Sequence, residues 1–204
     1  MGFVTQTTRP LGRDESLKMR RRPAYGRRHN IFAATVSSFF CFLILLTCMV
    51  VVLDNVRSLH NVGSIFRTSD AAGIEKIYLC GITPTPLDRL GRVRPPFTKV
   101  ALGAEENVKW EKKTSTWRAL DNLKRDGYKV FAVEQDKRSV PYYTVRAKGK
   151  VALVLGHEVR GLPESVLSRA DKILEIPMAG IKESLNISVA FGIVAYSLIY
   201  SGRN

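Results

Sequence analysis

The stretch FCFLILLTCMVVVLDNVRSLHNVG, Phe40 to Gly63, admits two readings, and the choice between them decides the fold. Its apolar half belongs to a run of 23 residues without a charge, Ile31 to Leu53. That is long enough to cross a bilayer as a helix, and the arginines before it favour keeping that end cytoplasmic. The end of the run, VVVL followed by DNVRS, is a β-branched segment that stops at polar residues, as a buried parallel strand does. The rest of the chain has to arbitrate.

A length of 204 residues suits one ordinary domain. The 32 Lys and Arg against 18 Asp and Glu give a net charge of +14, which points to a polyanionic partner such as nucleic acid or an anionic membrane surface. The first 30 residues carry net +6 and little apolar content, so residues 1–30 read as a disordered basic arm, usable as a transit peptide, an RNA-contacting tail or a plain solvated leader. Cys41, Cys48 and Cys80 are odd in number and lack CxxC spacing. Neither a disulfide framework nor a zinc cluster is indicated, and no metal is expected.

From Val50 onward, short apolar runs alternate with helical patterns, the rhythm of an α/β domain with a parallel sheet. Strands are expected at Val50–Leu53, Lys76–Cys80, Lys129–Val133, Val151–Leu155 and Ile173–Ile176. Helices are expected at Val62–Ala72, Thr114–Arg125, Glu164–Arg169 and Ser184–Tyr200, with a Pro- and Arg-containing loop from Thr83 to Lys99. The last helix is apolar nearly all round, which implies burial on two faces or in a subunit contact.

Three segments each place polar or glycine residues after a strand, where open α/β sheets hold ligands. In DNVRSLHNVGSIFR, a helix start with Asn55, Asn61, Gly63 and Arg67 suits an anionic phosphate, although Asn61 could equally be a cap and Arg67 a surface residue. In VALVLGHEVRGL, Gly156 ends an apolar strand, Glu158 follows and Gly161 permits a tight turn. This matches neither the dinucleotide fingerprint nor the Walker loop, so a nucleoside triphosphate site is not expected. In EIPMAGIKESLNISVAFG, Ser184 reads as the cap of the last helix, with Asn186 beside it and Met178, Leu185 and Ile187 as apolar neighbours. A flat aromatic cofactor with a few polar handles would suit the set.

In this order, N-x5-N-x-G-x3-R, LGxExxGL and IPMxGxxESLNxSVAxG resemble the three motifs of the SpoU-type (TrmH-like) RNA ribose 2′-O-methyltransferases of the SPOUT superfamily. The resemblance covers about Val50 to Tyr200. It implies a parallel-sheet domain whose C-terminal part forms a deep trefoil knot, an exception to the usual absence of knots. It further implies S-adenosyl-L-methionine as cofactor, held by Leu155, Gly156, Gly161, Ile176, Met178, Leu185 and Asn186, and a homodimer through the last helix. The implied reaction is methyl transfer to a ribose 2′-hydroxyl of tRNA or rRNA, with Asn61, Arg67, Glu158, Ser184 and Asn186 as catalytic residues. Arg67 is expected to clamp a phosphate in preference to acting as a base, because a guanidinium holds its proton too tightly. His157 stands where many relatives have asparagine, and it and His60 are expected to be bystanders.

RNA contacts are expected at Arg67, Arg89, Arg92, Arg94 and Lys99, positioning the backbone without reading sequence. Two other classes compete: a membrane-anchored, non-catalytic knot domain, and an RNA-binding dimer without cofactor. Neither requires the whole motif set. The opening stretch is thereby divided: Val50–Leu53 begins the methyltransferase domain, 50–204, and 31–49 is an anchor, a targeting segment or an insertion. The expected location is cytoplasmic, with an organellar address or membrane association as alternatives.

Overall fold

The computed structural model describes residues 47–201. The expectations for the arm 1–30 and for residues 31–46 fall outside the described residues. Strand β1 spans Thr47–Asp54, so the strand begins three residues before its expected start. Met49, assigned from sequence to the extra apolar segment, is 2% exposed and packs in the same cluster as Val51 and Leu53. The expected boundary at residue 50 therefore falls inside β1. The long uncharged run concealed the start of the strand, since nothing in the composition changes between Leu46 and Val50. No helix among the described residues is long and apolar enough to cross a membrane.

Helix α1, Leu59–Ala72, follows, then β2, Lys76–Cys80. Two short helices come next, α2 at Pro95–Ala101 and α3 at Ala104–Asn107, before β3 at Lys109–Lys113. The chain continues through α4, Thr116–Arg125; β4, Lys129–Val133; the two-residue β5, Val140–Pro141; and β6, Gly149–Leu155. It ends with α5, Glu164–Leu167; β7, Lys172–Glu175; and α6, Ile187–Tyr200.

The seven strands form one sheet in the order β3-β2-β1-β6-β4-β7-β5, and every pairing is parallel. Strand β6 is central, which explains its uninterrupted VALVL: all five side chains are buried. Alternate residues of β1 face opposite layers. Met49, Val51 and Leu53 meet Ile65 and Phe66 of α1 and Phe191, Val194 and Leu198 of α6. Val50 and Val52 meet Leu120 and Leu123 of α4 and Val166 and Leu167 of α5. Each such fully buried aliphatic or aromatic side chain contributes about 1.5–3 kcal/mol.

Two differences from the sequence expectation have clear causes. The presumed loop Thr83–Lys99 runs into α2 from Pro95 on, because Pro95 and Pro96 occupy the helix's first turn, where proline's fixed φ and missing N–H cost nothing. Phe97 of α2 then packs edge-on against Phe66, ring centroids 5.2 Å apart. Strand β3, KWEKK, carries no apolar alternation and was not expected. It is an edge strand, where charge is tolerated and discourages further pairing, and Glu111 pairs with Lys76 of β2 at 2.8 Å.

Strand β1 leads through α1 to β2 on one side, whereas β6 leads through α5 to β7 on the other. Neighbouring strands with diverging connections open a crevice at their C-terminal ends. The three motif segments follow β1, β6 and β7, and so meet at that edge.

Candidate active site

Motif one begins α1, but its cap is Ser58, whose side chain accepts from the Asn61 N–H at 3.2 Å. Asn61 lies inside the helix and is 9% exposed, so it is a buried polar side chain that must be satisfied. Its Nδ2 donates to Oε1 of Glu158 at 3.2 Å, and its Oδ1 accepts from Nδ2 of Asn186 at 3.0 Å. The Asn186 Oδ1 in turn accepts from the backbone N–H of Ser188 at 2.9 Å and from its hydroxyl at 2.7 Å. One hydrogen-bonded chain thus joins all three motifs across 97 and 125 residues of sequence separation.

Asn186, not Ser184, is the N-cap of α6, and the helix starts at Ile187. The expected cap at Ser184 is corrected: the asparagine carbonyl reaches the orphan N–H two residues on, leaving Ser184 in the cleft. Glu158 anchors the opposite helix. Its Oε2 accepts from the Arg57 N–H and its Oε1 from the Ser58 N–H, both at 3.1 Å. Partial burial pushes this carboxyl up, but the N–H groups of Arg57 and Ser58 and the Asn61 amide outweigh that and hold it below the ordinary 4.5. A depressed carboxylate pKa contributes stability that is fully present above 4.5 and is lost as the pH falls through the lower folded value. Glu158→Gln is therefore expected to flatten the acid limb of the unfolding profile below pH 4.5, measured as Tm against pH. An unchanged limb would show that the anchor carries no linkage.

The turn after β6 is built by close approach. Gly161 has φ +64°, and a Cβ there would lie 2.4 Å from Oε2 of Glu134. A Cβ on Gly156 would lie 2.7 Å from the carbonyl of Gly161. Glu134, which follows β4, accepts from the Leu162 N–H at 2.7 Å and so fixes the far end of the turn. His157 fixes its interior: Nδ1 accepts from the N–H groups of Val159 at 3.0 Å and Arg160 at 3.3 Å. It is a turn-maker, not the bystander expected, and an asparagine Oδ1 could accept the same bonds. His157→Asn is expected to retain the geometry of the cleft, while His157→Ala weakens ligand binding there about tenfold, as two lost bonds of about 0.7 kcal/mol each imply.

Two adjoining cavities of about 150 and 540 Å³ lie over this edge, sharing Val133, Glu134, Ser184, Leu185 and Ala190. The smaller is lined also by Ile176 and Met178, the larger by Leu155, Gly156, Gly161, Glu158, Asn61 and Asn186. All seven residues assigned from sequence to cofactor binding therefore line one cleft, whose smaller cavity is mainly apolar and whose larger one is mixed, with Asn61, Glu134, Glu158, Ser184 and Asn186 among its polar groups. The backbone of the tight turn and the Glu134 carboxylate face a space that suits a flat base, a sugar and a cationic sulfur centre.

Arg67 is not in that cleft. It lies more than two turns into α1, on a different face from Asn61, and is exposed. It lines a separate groove of about 790 Å³ with His60, Ser64, Thr68, Pro96, Lys99 and Val100. Of the other basic residues expected to meet RNA, Arg92 pairs with Asp88 at 2.9 Å and the Arg94 Nε donates to the Leu87 carbonyl at 3.1 Å. Those two side chains shape their own loop, whereas Arg89 is exposed and Lys99 joins Arg67. Sequence reading missed Glu134 and Ser188. A carboxylate directly after the apolar VFAV strand was the available signal for the first.

A family model described as the SpoU rRNA methylase family matches residues 48–196. A 23S rRNA (guanosine-2′-O-)-methyltransferase of Acinetobacter baylyi is 35% identical over 149 residues, covering 72% of this chain and 58% of that protein. Among solved structures, the AdoMet-bound rRNA methyltransferase of Sinorhizobium meliloti superposes with a TM-score of 0.65 at 30% identity, over 73% of this chain and 54% of that one. The TrmH/SpoU tRNA modifying enzyme of A. aeolicus superposes with a TM-score of 0.64 at 29% identity, over 82% of each chain. The chain spans 58% of the length of the Acinetobacter relative.

Proposed function

Because the chain belongs to the SpoU rRNA methylase family, we propose that it is an S-adenosylmethionine-dependent methyltransferase acting on a ribose 2′-hydroxyl of RNA. The observation that carries this reading is the hydrogen-bonded chain from Glu158 through Asn61 to Asn186, set at the mouth of a cleft whose lining suits the cofactor. Ribosomal RNA is the first substrate class to test, since the Acinetobacter relative is named for 23S rRNA, and tRNA the second.

The cofactor, when bound, would supply a methyl group made electrophilic by its sulfonium, and transfer to the ribose oxygen would leave a neutral thioether and release the hydroxyl proton. Ile176, Met178 and Leu185 would enclose its apolar parts, and the Gly156–Gly161 turn its polar edge. Asn61 and Asn186 fix each other, so a ribose entering beside them meets amides whose orientation is already set, and positioning of this kind supplies much of the acceleration. Glu158 serves as an anchor: both of its oxygens are taken by donors of α1 and its approach. Arg67 and Lys99 would hold a neighbouring RNA phosphate in their groove, in keeping with a clamp and not a base.

We further propose the family's knotted C-terminal segment and a homodimer. In support of the dimer, α6 leaves Val189, Tyr196 and Tyr200 exposed at 50%, 39% and 44%. It also packs on α1, where a Cβ on Gly192 would lie 3.8 Å from Thr68. A second copy on that face would adjoin the Arg67 groove. Titration calorimetry with S-adenosylmethionine tests the proposal: a saturable signal of one cofactor per chain is expected. No heat of binding would favour the RNA-binding dimer without cofactor.

A further inference from the structure

A third cavity lies beyond the Gly156–Gly161 turn from the cofactor cleft. It measures about 560 Å³ and shares His157 and Gly161 with that cleft. It sits at the C-terminal ends of β1 and β6, the crevice where the connections of neighbouring strands diverge. In open parallel sheets this is the favoured ligand position, yet the proposed cofactor residues lie to one side of it, over β6, β4 and β7.

The cavity is a built site. Its floor is Asp54, 3% exposed, which accepts from the Thr116 hydroxyl and from Nδ2 of Asn55 at 3.0 Å. Asn55 is held in the left-handed region at φ +55°, and its Oδ1 accepts from the Ile82 N–H at 3.1 Å. The floor's polar groups are thus satisfied within the protein, and the loop carrying Ile82 is fixed. Above it stand the exposed arginines Arg57 and Arg160, which reach the crevice from the segments after β1 and after β6. Among the described residues neither guanidinium has an ion-pair partner, although Arg57 and Arg160 both use their backbone N–H within the site. The apolar wall is Ile82, 64% exposed, and Pro163.

We propose that this crevice is an RNA subsite that takes the nucleotide flanking the methylated one, its phosphate between Arg57 and Arg160 and its base against Ile82 and Pro163. The inference rests on the methyltransferase reading of the adjoining cleft. Two guanidinium forks lining one cavity, with no ion-pair partner among the described residues, match a phosphate's oxygens, and the apolar wall matches a base face, which every base presents. Separation by a single turn places the flanking nucleotide next to the ribose at Asn61 and Asn186. The subsite is distinct from the Arg67 groove, which lies on α1 and α2.

The test measures binding of a short fluorescent oligouridylate by anisotropy across a salt series, with cofactor calorimetry on the same samples. Arg57→Ala with Arg160→Ala is expected to weaken binding about tenfold and to lower the log–log salt slope by about 0.7, one phosphate's share for a single strand. The paired Arg→Lys variant keeps the slope, and Ile82→Ala weakens binding without changing it. The unfolding Tm is unchanged within a few degrees in all three, which shows the fold intact. If the wild type binds cofactor and oligouridylate but the double alanine variant keeps its slope, the subsite is refuted while the methyltransferase reading stands. If the wild type binds no cofactor, that reading fails first, and a lost slope would still establish the crevice as a phosphate site.

Discussion

Replacing Arg67 by alanine is expected to reduce methyl transfer to RNA about a hundredfold or more, the usual cost of misplacing a reacting group, while leaving affinity for S-adenosylmethionine unchanged. The split follows from where the side chain lies. Arg67 shares no cavity with Gly156, Met178 or Leu185, so cofactor binding does not depend on it. It lines a groove with Lys99, so on the proposed reading its loss would remove a charge-assisted bond to RNA phosphate, worth about 1.5–3 kcal/mol. Arg67→Lys separates clamp from fork: a lysine restores the charge and part of RNA affinity, but not the bidentate geometry. Single-turnover transfer rates beside cofactor calorimetry decide the matter. A parallel fall in cofactor affinity would mean that Arg67 supports the cleft, contrary to its placement.

Gly156→Ala should have the opposite signature, loss of cofactor binding first. The added Cβ would stand 2.7 Å from both C and O of Gly161 and 2.8 Å from Cγ of Leu162. Backbone cannot yield as a flexible side chain does, and Gly161 cannot retreat, because it already lies against the Glu134 carboxylate. The turn must open, at a cost of about 1–3 kcal/mol for overpacking, and it is the turn that walls the cleft. We expect cofactor affinity to fall about a hundredfold, with Tm lowered by only a few degrees, since the core strand behind Gly156 is untouched. Unchanged affinity would remove the Gly156–Gly161 turn from the binding site.

Much of the sheet was legible because its strands obey a simple rule. Lys76–Cys80 and Lys129–Val133 are apolar runs closed by glycine or charge, and the structure places both strands at those bounds. KWEKK escaped because an edge strand has no need of an apolar face. The start of β1 escaped because the uncharged run continues through it without a break. In the site, residue types were legible and partnerships were not. Spacing within a motif reports local turns, but the bonds from Asn61 to Glu158 and Asn186 depend on how three strands lie side by side. The separation of Arg67 from Asn61 was available in principle: six helical residues rotate a side chain by about 240°, away from the first. Ser184 resembled a cap, yet Asn186 also had the capping chemistry and stood one residue from the helix.

The central claim is tested most directly by incubating the protein with RNA and S-adenosylmethionine labelled in its methyl group, then hydrolysing the product in alkali. The account predicts label in the RNA, retained in a dinucleotide that resists cleavage at one site, because a methylated 2′-oxygen cannot attack the adjoining phosphate. Label absent from RNA, or released wholly as mononucleotides carrying a methylated base, would contradict it.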